Sequence, residues 1–163
     1  MKEETAKMEK ETAKMEFETP AVQKCYEKIA PMIKEIFGEF AWPYPNEPAF
    51  NIAIGSAYVT IKVNSWGTDD ATIMTYAWVV TGAETTQDLM RHLLSENFDL
   101  RFGAFGMDPQ GDIVLQHSIA GSTCDKEDLK ASAMAIVHVA DRADDEIIAK
   151  FGGQRGIDRA KTG

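Results

Sequence analysis

The stretch from Asn51 to Thr81 constrains the fold most, because its hydrophobic pattern has a period of two over successive short segments. The central segment, "AYVTIKVN", alternates apolar and polar residues, which is typical of a strand with one buried and one solvent-facing side. Gly55-Ser56 and "NSWGTDD" are predicted turns, and "ATIMTYAWVV", apolar on both faces, is a predicted interior strand. We therefore expect three antiparallel strands joined by short turns.

Helical periodicity flanks these strands. In "AVQKCYEKIAPMIKEIFGEF" the apolar residues recur at helical spacing, while Pro31 predicts a break, a kink or the start of a new helix. A second helix is predicted in "TTQDLMRHLLSENF", with Thr85 as its N-cap and Asp88 completing an approximate capping box. Its buried stripe is predicted to contain Leu89 and Leu93, with Met90 and Leu94 as further candidates.

A third, longer helix is predicted in "CDKEDLKASAMAIVHVADRADDEIIAKFGG". Asp125 is a good N-cap, Glu127 and Asp128 suit the first turn, and Gly152-Gly153 ends the helix. The order is then helix, two or three strands, helix, two strands, helix. Runs of strands between helices indicate an α+β fold, an antiparallel sheet with helices packed on it, rather than a parallel α/β sheet.

The chain divides by pattern into three parts. Residues 1–19 contain a seven-residue repeat, ETAKMEK then ETAKMEF, which is interpreted either as a frayed charged helix or as a helix that docks on a partner. Residues 20–153 are predicted to form one α+β domain, and residues 154–163 a C-terminal tail.

Composition excludes several classes of function. The net charge of −9 argues against nucleic-acid binding, which needs clustered Lys and Arg, and favours basic partners. No apolar run approaches the roughly 20 residues that span a bilayer, and the charged N-terminus has no signal-peptide core. Cys25 and Cys124 form no CxxC pair, which suits a reducing compartment. We expect a cytoplasmic protein with no membrane span.

The segment "FGAFGMDPQGDIVLQHS" is the strongest candidate for a ligand loop. It lacks the Lys-Ser/Thr pair of a phosphate loop and the ligand spacing of an EF-hand, although a weak divalent ion near Asp108 and Asp112 stays an alternative. "DPQG" fits a type I turn, so the segment is predicted to be a β-hairpin. The hairpin arms are predicted to bury Phe102, Phe105, Ile113 and Leu115.

No catalytic, cofactor-binding or metal-binding residue is assigned. The histidines His92, His117 and His138 lie in no metal or protease motif, and Cys124 stands among helix-capping residues. The acidic group Asp141, Asp144, Asp145 and Glu146, with Arg142 among them, is predicted to be the solvated face of the last helix. The alternative is a small metal-dependent or cysteine/histidine enzyme with a site near His117.

A family resemblance is carried by "FGAFGMDPQGDIVLQHSI", by "GSTCDKEDL" at a helix start and by the acidic "ADDEI". These features resemble YbjN-like proteins of the type III secretion chaperone-like superfamily, in particular cyanobacterial-type members. The resemblance departs at Cys124, where an aliphatic residue is expected, and at the N-terminal repeat. It implies helices against a sheet of about five strands, a frequent homodimer, and a non-enzymatic chaperone, adaptor or regulator of an unknown protein client, with no cofactor.

Overall fold

Residues 15–160 are described by the computed structural model. The helices are α1 (Pro20–Phe37), α2 (Gln87–Asp99), α3 (Lys126–Phe151) and α4 (Gly156–Ala160), with a 3-10 turn at Gly38–Phe40. The strands are β1 (Ala41–Pro43), β2 (Ala49–Ile54), β3 (Ala57–Trp66), β4 (Asp70–Thr81), β5 (Ala104–Met107), β6 (Ile113–Ala120) and β7 (Gln154–Arg155). Most of the N-terminal repeat, residues 1–14, lies outside the described residues, so both interpretations of it stay predictions.

The strands form one antiparallel sheet in the order β1-β2-β3-β4-β6-β5, and β7 pairs with the end of β4. The predicted unit of three antiparallel strands is confirmed as β2, β3 and β4, and β4 is interior because it lies between β3 and β6. The α+β class is confirmed as well. The sheet has seven strands rather than about five, because the three-residue β1 and the two-residue β7 add short pairings.

The core lies between one face of the sheet and helices α1 and α3. Alternate residues of β3 and β4 point into it, because successive side chains of a strand face opposite sides. Each fully buried aliphatic side chain stabilises the fold by about 1.5–3 kcal/mol relative to an exposed one. The largest fully buried side chains include Ile29, Ile33, Ile52, Ile61, Ile73, Leu89, Ile113, Leu115, Leu129, Ile136 and Ile147.

Helix α1 continues through Pro31, so the predicted break or new helix start is wrong. The proline ring stands on the exposed side of the helix, while Ile29 and Ile33 on the buried side are anchored in the core. Burial of that stripe outweighs the one backbone hydrogen bond that a proline removes. Thr19 caps the helix, its hydroxyl oxygen accepting from the amide of Val22 at 3.2 Å.

Helix α2 begins one residue later than predicted. Thr86, rather than Thr85, is the N-cap, since its hydroxyl oxygen accepts from the amide of Leu89 at 3.1 Å. Leu89 and Leu93 are buried as expected, whereas the further candidates Met90 and Leu94 are exposed. The helix lies at the sheet edge beside β5, so it buries only a narrow stripe. For α3, the predicted N-cap Asp125 is confirmed.

The hairpin predicted from "DPQG" is confirmed as β5 and β6. The Gly111 amide donates to the Asp108 carbonyl at 2.9 Å, and the positive φ of +86° at Gly111 suits a residue without Cβ. Phe105, Ile113 and Leu115 are buried as expected, but Phe102 is 41% exposed. Phe102 precedes β5, and it is Gly103 that packs inward there: a Cβ on it would lie 2.8 Å from the Gln116 carbonyl oxygen.

Residues 154–160 return to the sheet after α3. Gly152 ends α3, and Gln154 and Arg155 then pair with Thr81 and Val80 at the end of β4. Gly156 packs so closely on β4 that a Cβ would overlap the Trp78 carbonyl oxygen. This described part of the expected tail is therefore attached to the domain by backbone pairing and by close packing.

Candidate functional site

The two carboxylates of the hairpin turn are engaged by the protein's own N–H groups. Asp108 Oδ1 accepts from the amides of Gln110 at 2.9 Å and Asp112 at 3.0 Å, and its Oδ2 accepts from the Trp78 indole at 3.1 Å. Asp112 Oδ1 accepts from the Gly82 amide at 3.0 Å. These contacts account for both side chains as parts of the turn.

His117 lies on β6, half-buried on the helix side of the sheet. The Phe102 ring meets the imidazole edge-on, with ring centroids 5.4 Å apart, and burial lowers the pKa of His117. The imidazole is therefore neutral at physiological pH. A neutral histidine against a phenylalanine is a packing element of the domain.

Both thiols are buried and protonated. Burial raises the pKa of Cys25 to about 11 and also raises the pKa of Cys124 above its ordinary value. The thiolate is the nucleophilic form of cysteine, so this environment suppresses nucleophilic chemistry. The thiol of Cys124 donates to the Asp125 carbonyl at 3.2 Å, at the entrance of α3.

The residues of the enzyme alternative are not brought together. His92 packs on Phe151, with ring centroids 5.5 Å apart, whereas His117 packs on Phe102. A groove of about 470 Å³ beside α3 is lined in part by Phe102 and His138, but neither His117 nor Cys124 lines it. Within residues 15–160, no three His, Cys, Asp or Glu side chains are grouped so that they could hold a metal ion.

The acidic group on α3 is only partly the solvated face that the sequence predicted. Asp144 is buried, with 2% of its surface exposed, and Asp141 is tied to the turn between β2 and β3. The Ser56 amide donates to Asp141 Oδ1 at 2.7 Å, and the Ser56 hydroxyl lies 2.7 Å from both that oxygen and Asp144 Oδ2. Arg155 contacts Asp144 at 3.7 Å and also pairs with Asp145. We call Ser56, Asp141, Asp144 and Arg155 the latch, because their contacts join the β2–β3 turn, α3 and β7.

The pKa values of the two latch carboxylates, Asp141 and Asp144, are shifted in opposite directions. Hydrogen bonds from Ser56 lower the pKa of Asp141, whereas burial raises the pKa of Asp144. The Ser56 hydroxyl has one hydrogen to donate, so Asp141 Oδ1 and Asp144 Oδ2 share a single donor. The contacts of both carboxylates are thus made within the fold, and the latch is a structural arrangement.

Nine large apolar side chains are exposed among the described residues. Two groups of them lie at opposite ends of the sheet order, near β1 and near β5, and Trp66 stands at the turn between β3 and β4. The group near β1 is Phe40, Trp42 and Tyr44, and the group near β5 is Met90, Leu94, Phe98, Phe102 and Met107.

The group near β5 is dominated by one side of α2. Met90, Leu94 and Phe98 follow one another at intervals of four, which places them on one helix face, and we call them the α2 row. Leu94 is 69% exposed and Phe98 is 90% exposed. Asn97, on the side facing β5, donates to the Phe105 carbonyl at 3.1 Å and accepts from the Phe105 amide at 2.6 Å. Its amide thus occupies main-chain groups that an added strand would use.

The group near β1 continues onto the open face of the sheet. Trp42 packs on Tyr58 with ring centroids 6.0 Å apart, and Tyr76 meets Trp78 edge-on at 5.2 Å. The register from Trp42 through Asn51 and Thr60 to Tyr76 puts these rings on the face opposite the core. We call Trp42, Tyr44, Tyr58, Tyr76 and Trp78 the aromatic face.

Sequence reasoning did not identify either group as a binding surface. The α2 row had a signal, since apolar residues at 89 and 93 and at 90, 94 and 98 make two adjacent stripes on one helix. Only one of the two stripes can face a sheet edge, so the other is exposed. The aromatic face had a weaker signal, the Tyr and Trp residues at the solvent-facing positions of β3 and β4.

Comparisons with known proteins give one family and one fold. The profile of TY-Chap1, the T3SS (YopN, CesT) and YbjN peptide-binding chaperone 1, matches residues 24–159. No curated protein matches the chain. A chain in the crystal structure of the ExsC-ExsE complex is 18% identical, with a TM-score of 0.58, over 76% of this chain and 93% of that chain. Of the helices that the structure describes, none is long and apolar enough to cross a membrane.

Proposed function

The chain belongs to the family of T3SS (YopN, CesT) and YbjN peptide-binding chaperones, and from this premise we propose that it is a non-enzymatic, chaperone-like protein that binds segments of a protein client. We assign the binding to a single domain, residues 20–153. We expect it to act in the cytoplasm, where the two buried thiols stay reduced.

The exposed apolar groups at the two ends of the sheet carry this proposal. Clustered apolar side chains on a soluble domain mark places where another protein binds. A catalytic site would instead need titratable groups that converge in a pocket, and neither His117 nor Cys124 lines the groove beside Lys126 and Glu35 or the one beside Phe102 and His138.

We assign the client to the aromatic face. Tryptophan and tyrosine rings bury large area at a low cost in side-chain entropy and attract lysine and arginine through the ring face. Trp42 is 41% and Tyr44 39% exposed, so both remain accessible. The net charge of −9 adds a long-range attraction for basic segments. Apolar segments that carry Lys or Arg are therefore the expected ligands.

A peptide array tests the assignment. Overlapping 15-residue peptides that vary in apolar and basic content are probed with the purified full chain and with Trp42→Ala and Trp66→Ala variants. We expect peptides with apolar and basic residues to bind the wild type, Trp42→Ala to weaken this binding at least tenfold, and Trp66→Ala to change it less than twofold. Equal losses in both variants, or no bound peptides with the wild type, would contradict the proposal.

We assign the α2 row to a second copy of the chain. An isologous two-fold contact, in which the same surface meets itself, is the commonest closed arrangement of soluble homo-oligomers. Met90, Leu94 and Phe98 form such a patch along one helix face, where two helices can pack side by side. The chain is thus expected to be a homodimer.

Light scattering after size exclusion measures the oligomeric state. The wild type should have a mass of about 36 kDa, twice the 18.0 kDa of one chain. Leu94→Asp should give the monomer, whereas Ser95→Asp, which adds the same charge at the next exposed position of α2, should keep the dimer. A wild type that stays at 18.0 kDa at high concentration would refute the dimer.

A further inference from the structure

Residues 15–19, which we call the N-terminal strap, lie against the domain immediately before α1 and belong to no helix or strand. Met15, Phe17 and Thr19 are half-buried, while Glu16 and Glu18 between them are exposed. Alternation with a period of two is the pattern of an extended peptide lying on a surface. Met15 and Phe17 both pack against the hydrophobic core.

The surface under the strap is aromatic and buried. The Phe17 ring lies against Tyr26 of α1, with centroids 5.7 Å apart, and Tyr26 is stacked on Phe50 of β2 at 4.9 Å. Tyr26 and Phe50 are each only 4% exposed, so the two rings belong to the core and the strap covers them from outside. Phe17 supplies the outermost ring of this stack.

The strap is also the end of the second repeat. ETAKMEF, residues 11–17, follows ETAKMEK, residues 4–10, and the two differ only in their last residue. The aromatic residue that meets Tyr26 is thus the one feature that the first copy lacks. Lys10, in the place of Phe17, has no ring to continue the stack.

We propose that the surface over Tyr26 and Phe50 is a binding site for short segments of the form Met-x-aromatic, and that the chain's own Met15 and Phe17 occupy it. This inference rests on the proposed function, because it takes the domain to be a binder of short apolar segments. It adds a second site, on the helix side of the sheet, that is filled in cis.

Because the chain's own strap occupies the site, a free peptide has to compete with the strap for binding. A segment tethered to its own domain has an effective concentration in the millimolar range, so a free peptide of similar affinity binds poorly while the strap is seated. Freeing the site in the full chain should therefore expose binding that the wild type hides. The strap acts as an internal competitor for this site.

Two full-length variants and two peptides from the chain's own sequence provide the test. Met15→Ser with Phe17→Ser frees the site, and Glu16→Ser with Glu18→Ser changes only the exposed positions and leaves the strap seated. Each protein is titrated with fluorescently labelled ETAKMEF and ETAKMEK by anisotropy. We expect saturable binding of ETAKMEF to the first variant, at least tenfold weaker binding of ETAKMEK, and at least tenfold weaker binding of ETAKMEF to the second variant.

Three results of these titrations would contradict the proposed strap site. The proposal is overturned by no ETAKMEF binding to the first variant at 1 mM peptide, by equal binding of both peptides, or by equal binding to both variants. If the double substitution unfolds the domain, the same titration on Phe17→Ala decides. If ETAKMEF does not bind but the peptide array gives the expected result, only the strap site is contradicted. If no peptide on the array binds the wild type, the proposed function is contradicted.

Discussion

The two hydrogen bonds between the Asn97 side chain and Phe105 of β5 are expected to contribute a measurable part of the free energy of unfolding. Asn97→Ala removes a donor 3.1 Å from the Phe105 carbonyl and an acceptor 2.6 Å from the Phe105 amide. Each bond contributes about 0.5–1.5 kcal/mol net, and the higher helix propensity of alanine offsets up to about 0.7 kcal/mol. The expected net loss in the free energy of unfolding is about 0.3–3 kcal/mol.

Urea unfolding followed by tryptophan fluorescence measures this loss. Ser95→Ala is the matched control, because it makes the same gain in helix propensity on an exposed position of α2 without touching β5. We expect Asn97→Ala to be less stable than Ser95→Ala by about 1–3 kcal/mol, the two bonds alone. Equal stability of the two variants would show that the Asn97 amide contributes nothing to holding β5.

Three further predictions concern other parts of the fold. Gly111→Val should destabilise the domain by about 1 kcal/mol or more in the same assay, because a β-branched residue resists the φ of +86°. Asp144→Asn should gain stability relative to the wild type as the pH rises above about 4. Burial raises the folded pKa of Asp144 from its ordinary 3.8, so the stability that protonated Asp144 contributes is lost as the pH rises through that raised value; a pH-independent difference would contradict this. Deleting residues 1–14 should leave the melting temperature nearly unchanged, whereas deleting residues 1–18 should lower it by about 2–8 °C, because about half the burial of Met15 and Phe17 is lost with them.

Local patterns predicted the framework well. The period of two between residues 51 and 81 gave the three antiparallel strands, the "DPQG" turn gave the hairpin, and Asp125 gave the start of α3. The YbjN-like resemblance is also confirmed by the family match and by the shared fold. These features depend on hydrogen bonds and periodicity within a few residues, which one sequence displays directly.

The errors arose where distant contacts outweigh local preference. Pro31 is a helix breaker locally, yet burial of its helix keeps α1 continuous. Phe102 is apolar, yet the close packing of Gly103 leaves it outside. Asp144 has the composition of a solvated helix face, and only its contact with Ser56, 88 positions earlier, explains its burial.

The surfaces were the least predictable part of the candidate site. Met90 and Leu94 are apolar and were therefore candidates for the core, but both are exposed. Which of the two apolar stripes on α2 is buried depends on the position of β5. The strap was predictable as a repeat but not as a bound segment. Its contact with Tyr26 joins two elements whose packing the sequence pattern does not reveal.

The latch between Ser56 and α3 also bears on how the chain matures during synthesis. Ser56 lies 85 positions before Asp141, so at about 5–20 residues per second the ribosome needs about 4–17 s to supply the partner. During that interval the β2–β3 turn exists without the group that its amide and hydroxyl bind. The β2–β3 turn thus completes its contacts only after α3 has been synthesised, and a nascent chain halted between those two points holds a β2–β3 hairpin whose turn lacks the Asp141 contact.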